Sequence, residues 1–399
     1  MPDATTLQRL ADLLVGFGAN VQPGQVVAVS SEIGKEPLTR AVAVSAYRHG
    51  ASFVEVAYAD IHVRRARIEF GSDEALETVP PWLGERILRL GDARAARIAL
   101  TGPVEPGLLE DLDPARVGRD KSQALREAGK VVNERTTNWT IGPCPTLGWA
   151  RLVHPELEPE AALAKLWEEI VHVCRLDTDD PVSAWRERMA TLVAVSGRLT
   201  DAGFDAIHFE GPGTDLTVGL LPSSRWISAA FETAAGIPHA PNLPSEEVFT
   251  TPDPLRADGV VRSTKPLLVG GATITGLTVR FEGGRAVEID AEQGAETLRE
   301  LTSHDDGGVR LGELALVDRE GRIGPLGTVF YDTLLDENAA SHIALGRGFD
   351  FAVGEGDVER VNDSLIHIDF MIGGDDVDVT GVTAEGARVP VLRGGAWQL

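Results

Sequence analysis

Leucines 7, 10, 13 and 14 share one stripe of residues 5–17, the spacing of an amphipathic helix. Pro23-Gly24 then marks a turn. The apolar run 25–30 (QVVAVS) predicts a buried strand, 38–49 a helix stopped by Gly50, and 52–58 (SFVEVAY) a second strand. Strand, helix, strand in that order predicts a βαβ unit and a parallel sheet. A helix over 80–90 and a third strand over 96–100 (ARIAL) extend it. Helical periods over 160–173 and 182–201 close this half. Before them, 136–149 (TTNWTIGPCPTLGW) has no period. Its composition predicts an ordered loop plugged by aromatics, or one facing a substrate or a second subunit. Read as exposed, Trp139, Pro143, Pro145 and Trp149 point to a homodimer.

Near residue 204 the pattern changes to short apolar runs. Segments 206–210, 215–220, 260–263 and 272–281 predict strands, and 291–303 one intervening helix. FEGGRA at 281–286 is a Gly-Gly hairpin signal, and from Phe370 onward the chain reads as strand, turn, strand. The expected architecture is an α/β N-terminal domain with a parallel sheet (1–203). A mostly β (α+β) C-terminal domain (204–399) follows, and at 399 residues two cores are the natural division.

Lys and Arg number 37 against 61 Asp and Glu, a net charge of −24. Such a surface repels phosphate backbones and anionic lipid, so neither nucleic acid nor a membrane is an expected partner. The segment after the first strand, SSEIGKEP, carries no Gly-rich phosphate loop, which leaves nucleotide binding without support. Two cysteines, Cys144 and Cys174, cannot form a disulfide framework. No basic-then-apolar leader opens the chain, and no apolar run nears the roughly 18 residues of a membrane span. A cytoplasmic location is the expectation.

Four polar interruptions stand out in the C-terminal half. In SLIHIDFM, Ile366, Ile368 and Phe370 form one strand face and His367 and Asp369 share the other, as metal ligands or as an ion pair facing water. His342 sits in ENAASHIALG, read as a buried helix capped by Asp336 or Asn338 and ended by Gly346. It is a ligand there, or a neutral histidine bonded to a backbone carbonyl. Glu313 interrupts the strand-like RLGELALVD, and Glu247 faces with Phe249 in SEEVFTT, while Glu246 and Val248 face the other way. Each glutamate alone reads as a solvated residue. Together two Glu, one Asp and two His form a hard-to-borderline donor set of charge −3. That set suits two divalent cations sharing a carboxylate, with zinc, cobalt and manganese all compatible. The cysteines are too few for a thiolate site.

The segments carrying these residues resemble a known family. FEGPGTDLTVGL, NLPSEEVFTTPD, GELALVD, FYDTLLDENAASHIALG and HIDFMIG occur in order, with a weaker match at WTIGPCPTLGWA. They resemble the thermophilic-type metalloaminopeptidases, the aminopeptidase T/aminopeptidase S group (peptidase family M29), over essentially the whole chain. The resemblance implies two divalent ions held by Glu247, Glu313, His342, His367 and Asp369. It also implies a homodimer with an enclosed active site, short peptides with a free N-terminus as substrates, and a metal-bridged water as nucleophile. Glu246 is the candidate general base by adjacency. The family's active-site tyrosine falls on Phe349 in LGRGFDF, where a phenyl ring has no proton to donate. Neighbouring Arg347 is the candidate to supply the missing charge stabilisation. Two other functions use similar ligands: a mononuclear iron dioxygenase that cleaves dihydroxypyridine rings, and a peptide-binding paralogue without catalysis.

Overall fold

The computed structural model describes residues 3–121, 126–269 and 272–399. The chain packs as two compact units. One comprises Met1–Asp111, Leu125–Ala190 and Ala229–Ser245; the other comprises Leu112–Ala124, Thr191–Ser228 and Glu246–Leu399. The packing boundary therefore passes after Ala190, inside the helix Pro181–Ala202, and residues 229–245 belong with the first unit.

The first unit is built on a parallel sheet of β1 (Val26–Glu32), β2 (Phe53–Ala59), β3 (Ala96–Thr101) and β4 (Trp139–Pro143), in the order β2-β1-β3-β4. The helices Glu36–Arg48 and Pro81–Asp92 lie where the apolar period places them. The fourth strand comes from the stretch read as a loop. Trp139–Pro143 pairs with Arg97–Thr101, a partnership some forty residues away that local composition does not reveal. The exposure expected of this stretch is also corrected. Pro143, Pro145 and Trp149 are buried within the chain, and of the four only Trp139, half-buried, keeps part of its surface. Trp149 lies within the helix Leu147–Val153 and packs against Gly102, where a Cβ would stand 2.5 Å from the indole.

The second unit is a β-sandwich. Its strands follow β5 (Ala206–Gly211), β6 (Thr214–Leu220) and β7 (Ile227–Ser228) with β10 (Glu247–Thr250) and β11 (Pro252–Arg262), after a small ribbon of the first unit, β8 (Phe231–Glu232) and β9 (Pro238–His239). Then come β12 (Leu267–Val269), β13 (Ala272–Ile274), β14 (Thr278–Glu282), β15 (Arg285–Asp290), β16 (Leu311–Val317) and β17 (His342–Gly346). The chain ends on β18 (His367–Met371), β19 (Asp378–Val382), β20 (Arg388–Arg393) and β21 (Ala396–Trp397). One sheet has the order β15-β14-β11-β6-β5-β19-β20-β21, the other β18-β17-β16-β10-β7. The expected single strand 272–281 divides into β13 and β14. Gly283 and Gly284 turn β14 into β15 with φ of 54° and 78°, the left-handed values a tight hairpin needs.

Both sheets contribute to one apolar core. Val248, Leu314, Leu316, Ile343, Leu345, Ile368 and Phe370 from the five-stranded sheet join Ile207, Phe209, Leu216, Val218, Val279 and Phe281 from the other. Because side chains alternate along a strand, the opposite face of the five-stranded sheet carries Glu247, Glu313, His342, His367 and Asp369. Strict alternation along β16 would put Glu313 on the same side as Leu311, in the core. A bulge between Leu311 and Glu313 inserts one residue at Gly312 and re-aims the carboxylate.

Candidate metal centre

Strand pairing brings the polar residues together. Glu313 on β16 lies opposite Ala344 on β17, which lies opposite Asp369 on β18; Glu247 lies opposite Val317, and His342 opposite Ala315. His342 is thus the first residue of a buried strand, and the expected helix around it is absent. The only helical turn nearby, Thr333–Glu337, ends before it. The alanines of ENAASHIALG favour a helix locally. Antiparallel partners on both sides override that preference.

Among the described residues, donor atoms converge in three groups, each within 4.8 Å: Glu247, Glu313 and His342; Glu313, His367 and Asp369; Glu337, His342 and Asp369. Glu313 belongs to the first two. Glu337 was not singled out in the sequence, because a five-residue helix is too short for a periodic signal. Its place in FYDTLLDENAASHIALG, five residues before His342, is the only hint the sequence gives.

The imidazoles are oriented by main-chain carbonyls. His342 Nδ1 is 2.9 Å from Glu337 O and His367 Nδ1 is 2.8 Å from Arg347 O, so in each ring Nδ1–H donates and Nε2 faces the carboxylates. His342 Nε2 is 3.2 Å from Glu247 Oε2, yet that oxygen is buried and has no hydrogen-bond partner. Closeness without a hydrogen bond is the relation of two ligands aimed at a shared third point. His367 Nε2 is 2.9 Å from Glu313 Oε2 and 3.3 Å from Asp369 Oδ1 and is hydrogen-bonded to both carboxylates. The donor set, its orphaned oxygen and its anchored imidazoles fit divalent cations.

Electrostatics agree. Burial pushes the Glu247 carboxyl up to about 8, with His342 opposing and Glu313 and Asp369 adding to the rise. Burial and then Asp369 hold Glu337 well above the ordinary carboxylate range. Burial works against a charge on His342 and His367, but the surrounding carboxylates outweigh it and raise both. Burial alone would raise Asp369; His367 outweighs it and holds the carboxyl below its usual value. Without ions, protons gather where a positive charge is wanted.

The chain matches the family described as thermophilic metalloprotease (M29) over residues 3–397. It belongs to that family. Among its relatives, Aminopeptidase T of Thermus thermophilus is 42% identical over 400 residues, covering 98% of each chain. Aminopeptidase 2 of Geobacillus stearothermophilus is 37% identical over 402 residues, with 98% of this chain and 97% of the relative covered. The solved structure of wild-type AmpT from Thermus thermophilus superposes with a TM-score of 0.88 at 41% identity, covering 99% of both chains. The α/β and β-rich architecture expected from the sequence is therefore that of an M29 protein.

The remaining candidates fall on two sides of the cluster. Phe349 lies beside it, its ring 5.2 Å from that of His367, 5.5 Å from Phe249 and 5.3 Å from Phe351. The His367 side chain is 27% exposed and that of His342 1%, so the cluster opens on the side of this aromatic group. Arg347 turns its guanidinium to Asp363 Oδ1, at 3.1 Å, and to the Ser364 carbonyl; its link to the cluster is its own main-chain oxygen. Glu246 is fully buried and outside all three donor groups, with Oε1 3.3 Å from the Arg322 amide. Its own amide donates to Asn338 Oδ1 at 2.6 Å, which ties the start of β10 to the end of the Glu337 helix.

Proposed function

We propose that this M29 protein is a dinuclear metal-dependent aminopeptidase that removes N-terminal residues from short peptides. The observation that carries the two-ion reading is the sharing of Glu313 between two donor groups that otherwise differ: Glu247 and His342 on one side, His367 and Asp369 on the other. Zinc, cobalt and manganese all suit these ligands. Two divalent cations also balance the four carboxylates once Glu337 is counted. Bound there, such ions supply a water activated for attack and polarise the scissile carbonyl.

The chain's own groups do the rest. Glu313 holds the two positions at a fixed separation. The carbonyls of Glu337 and Arg347 hold each Nδ1–H and leave Nε2 of each imidazole aimed inward, where an ion would take the place of its proton. Glu337 is the carboxylate best placed to take the proton of the attacking water. It lies within the group of His342 and Asp369 and outside the two groups that share Glu313. Glu246, the base expected from adjacency, is occupied with the Arg322 amide. Phe249, Phe349 and Phe351 offer an apolar wall on the open side, and substrate enters past them.

Hydrolysis of a leucine aryl amide by protein loaded with cobalt or zinc tests this reading. Two bound ions with turnover support it. One ion per chain without hydrolysis favours the mononuclear dioxygenase, and two ions without turnover favour the binding paralogue. Among the described residues no helix is long and apolar enough to cross a membrane. A homodimer remains part of the proposal on the strength of the family alone, and light scattering that shows only the 42.6 kDa chain would remove it.

A further inference from the structure

The segment Gly346–Phe349 is pinned along its backbone. Gly346 donates its N–H to Arg310 O, Arg347 to Ile366 O and Gly348 to Asn362 O, each at 2.8 Å. Phe349 donates to Thr251 Oγ1 at 3.0 Å. Among the carbonyls, Gly346 O accepts from Asn362 Nδ2 at 2.6 Å. Arg347 O is the acceptor for His367 Nδ1. Asn362 therefore grips the residues on both sides of Arg347, one with its side chain and one with its main chain. It is buried, and its amide also donates to Gly307 O at 2.9 Å, which anchors the grip on a separate loop.

The other strand leaves no slack. A Cβ at Gly312 would stand 2.3 Å from the oxygens of both Arg347 and Gly346. Gly312 is the bulge residue of β16, and its close approach leaves the Arg347 carbonyl no room to turn on that side. His342 takes its orientation elsewhere, from Glu337 O and Ala340 O, and Asn362 touches neither.

We infer that Asn362 is a positioning residue: it fixes the Arg347 carbonyl and, through it, the His367 ring, so that it governs the ion position of His367 and Asp369 and not that of Glu247 and His342. The inference rests on the two-ion reading. Loss of an anchor behind a ligating imidazole typically weakens ion binding about 10- to 100-fold.

The test is calorimetric titration of the ion-free, full-length chain with zinc, comparing the native protein with Asn362→Asp and Asn362→Ser. Aspartate keeps the shape and puts an acceptor where Gly346 O and Gly307 O need a donor; serine removes the grip without adding charge. The expected result is one event unchanged and the other weakened by about 10- to 100-fold in both variants. Equal weakening of both events, no weakening in a variant with native circular dichroism, or failure of both variants to fold would each make Asn362 a general structural residue and overturn the inference. A native chain that takes up a single zinc ion would instead sink the two-ion reading, and the inference with it.

Discussion

His367 Nδ1 lies 2.8 Å from the carbonyl oxygen of Arg347, and this one bond decides which way the ring's other nitrogen points. Nε2 is left facing Glu313 and Asp369. Replacing His367 by alanine removes a ligand from the edge of a sheet whose other face forms the core. His367→Ala is therefore expected to lose one ion and nearly all activity while keeping its fold. Elemental analysis beside circular dichroism checks this, and a variant that is active with both ions in place would remove His367 from the centre.

Glu313 is the carboxylate that joins the Glu247–His342 group to the His367–Asp369 group. Glu313→Gln preserves its volume and removes its charge, which leaves two cations facing each other with less compensation. Occupancy is expected to fall from two ions to one or none, measured on protein dialysed against excess zinc. Retention of two ions would show that Glu313 does not bridge.

Ion uptake should depend on pH with a definite sign. Burial raises the Glu247 carboxyl from 4.5 to about 8, and the two histidines are raised as well. In ion-free protein these groups keep protons that the unfolded chain releases. Their contribution to stability is present at low pH and lost as pH rises, for Glu247 between its unfolded and folded values. Ions must displace the same protons, so affinity increases with pH up to about 8. Chelated protein should melt at a lower temperature at pH 8 than at pH 5, and zinc should protect it more at pH 8. A melting temperature of the chelated form that rises over this interval contradicts the assignment.

Phe349 supplies a ring at the open side of the centre and no hydroxyl. Phe349→Tyr adds one donor to a ring already 5.2 Å from His367. If that donor reaches the developing oxyanion, kcat should rise toward the roughly 100-fold that a single such hydrogen bond contributes. Metal content should not change. No gain at equal metal content would show that the tyrosine role implied by the family resemblance does not carry over to this position.

Much of the centre was legible because strands report their own faces. His367 and Asp369 break SLIHIDFM at a spacing of two, and that spacing alone puts them together. Glu313 was visible as an intrusion, but its direction was not, since the bulge at Gly312 reverses the phase of the leucines around it. His342 was found as a residue and placed on the wrong element, because its strand exists only through partners from β16 and β18. The same blindness to distant pairing hid β4 behind the tryptophans and prolines of 136–149. Glu337 escaped because one turn of helix has no period to read.

The five-stranded sheet writes two messages on one set of strands, solvent-excluded oil on one side and charge on the other. Substitutions at individual positions can revise either message separately. A change in length cannot. Deleting one residue from β17 would carry His342 into the apolar interior and turn Ile343 toward the carboxylates, dismantling the fold and the chemistry in a single event. Over evolutionary time these strands should drift in letters and hold their count, with insertions confined to the connections between them.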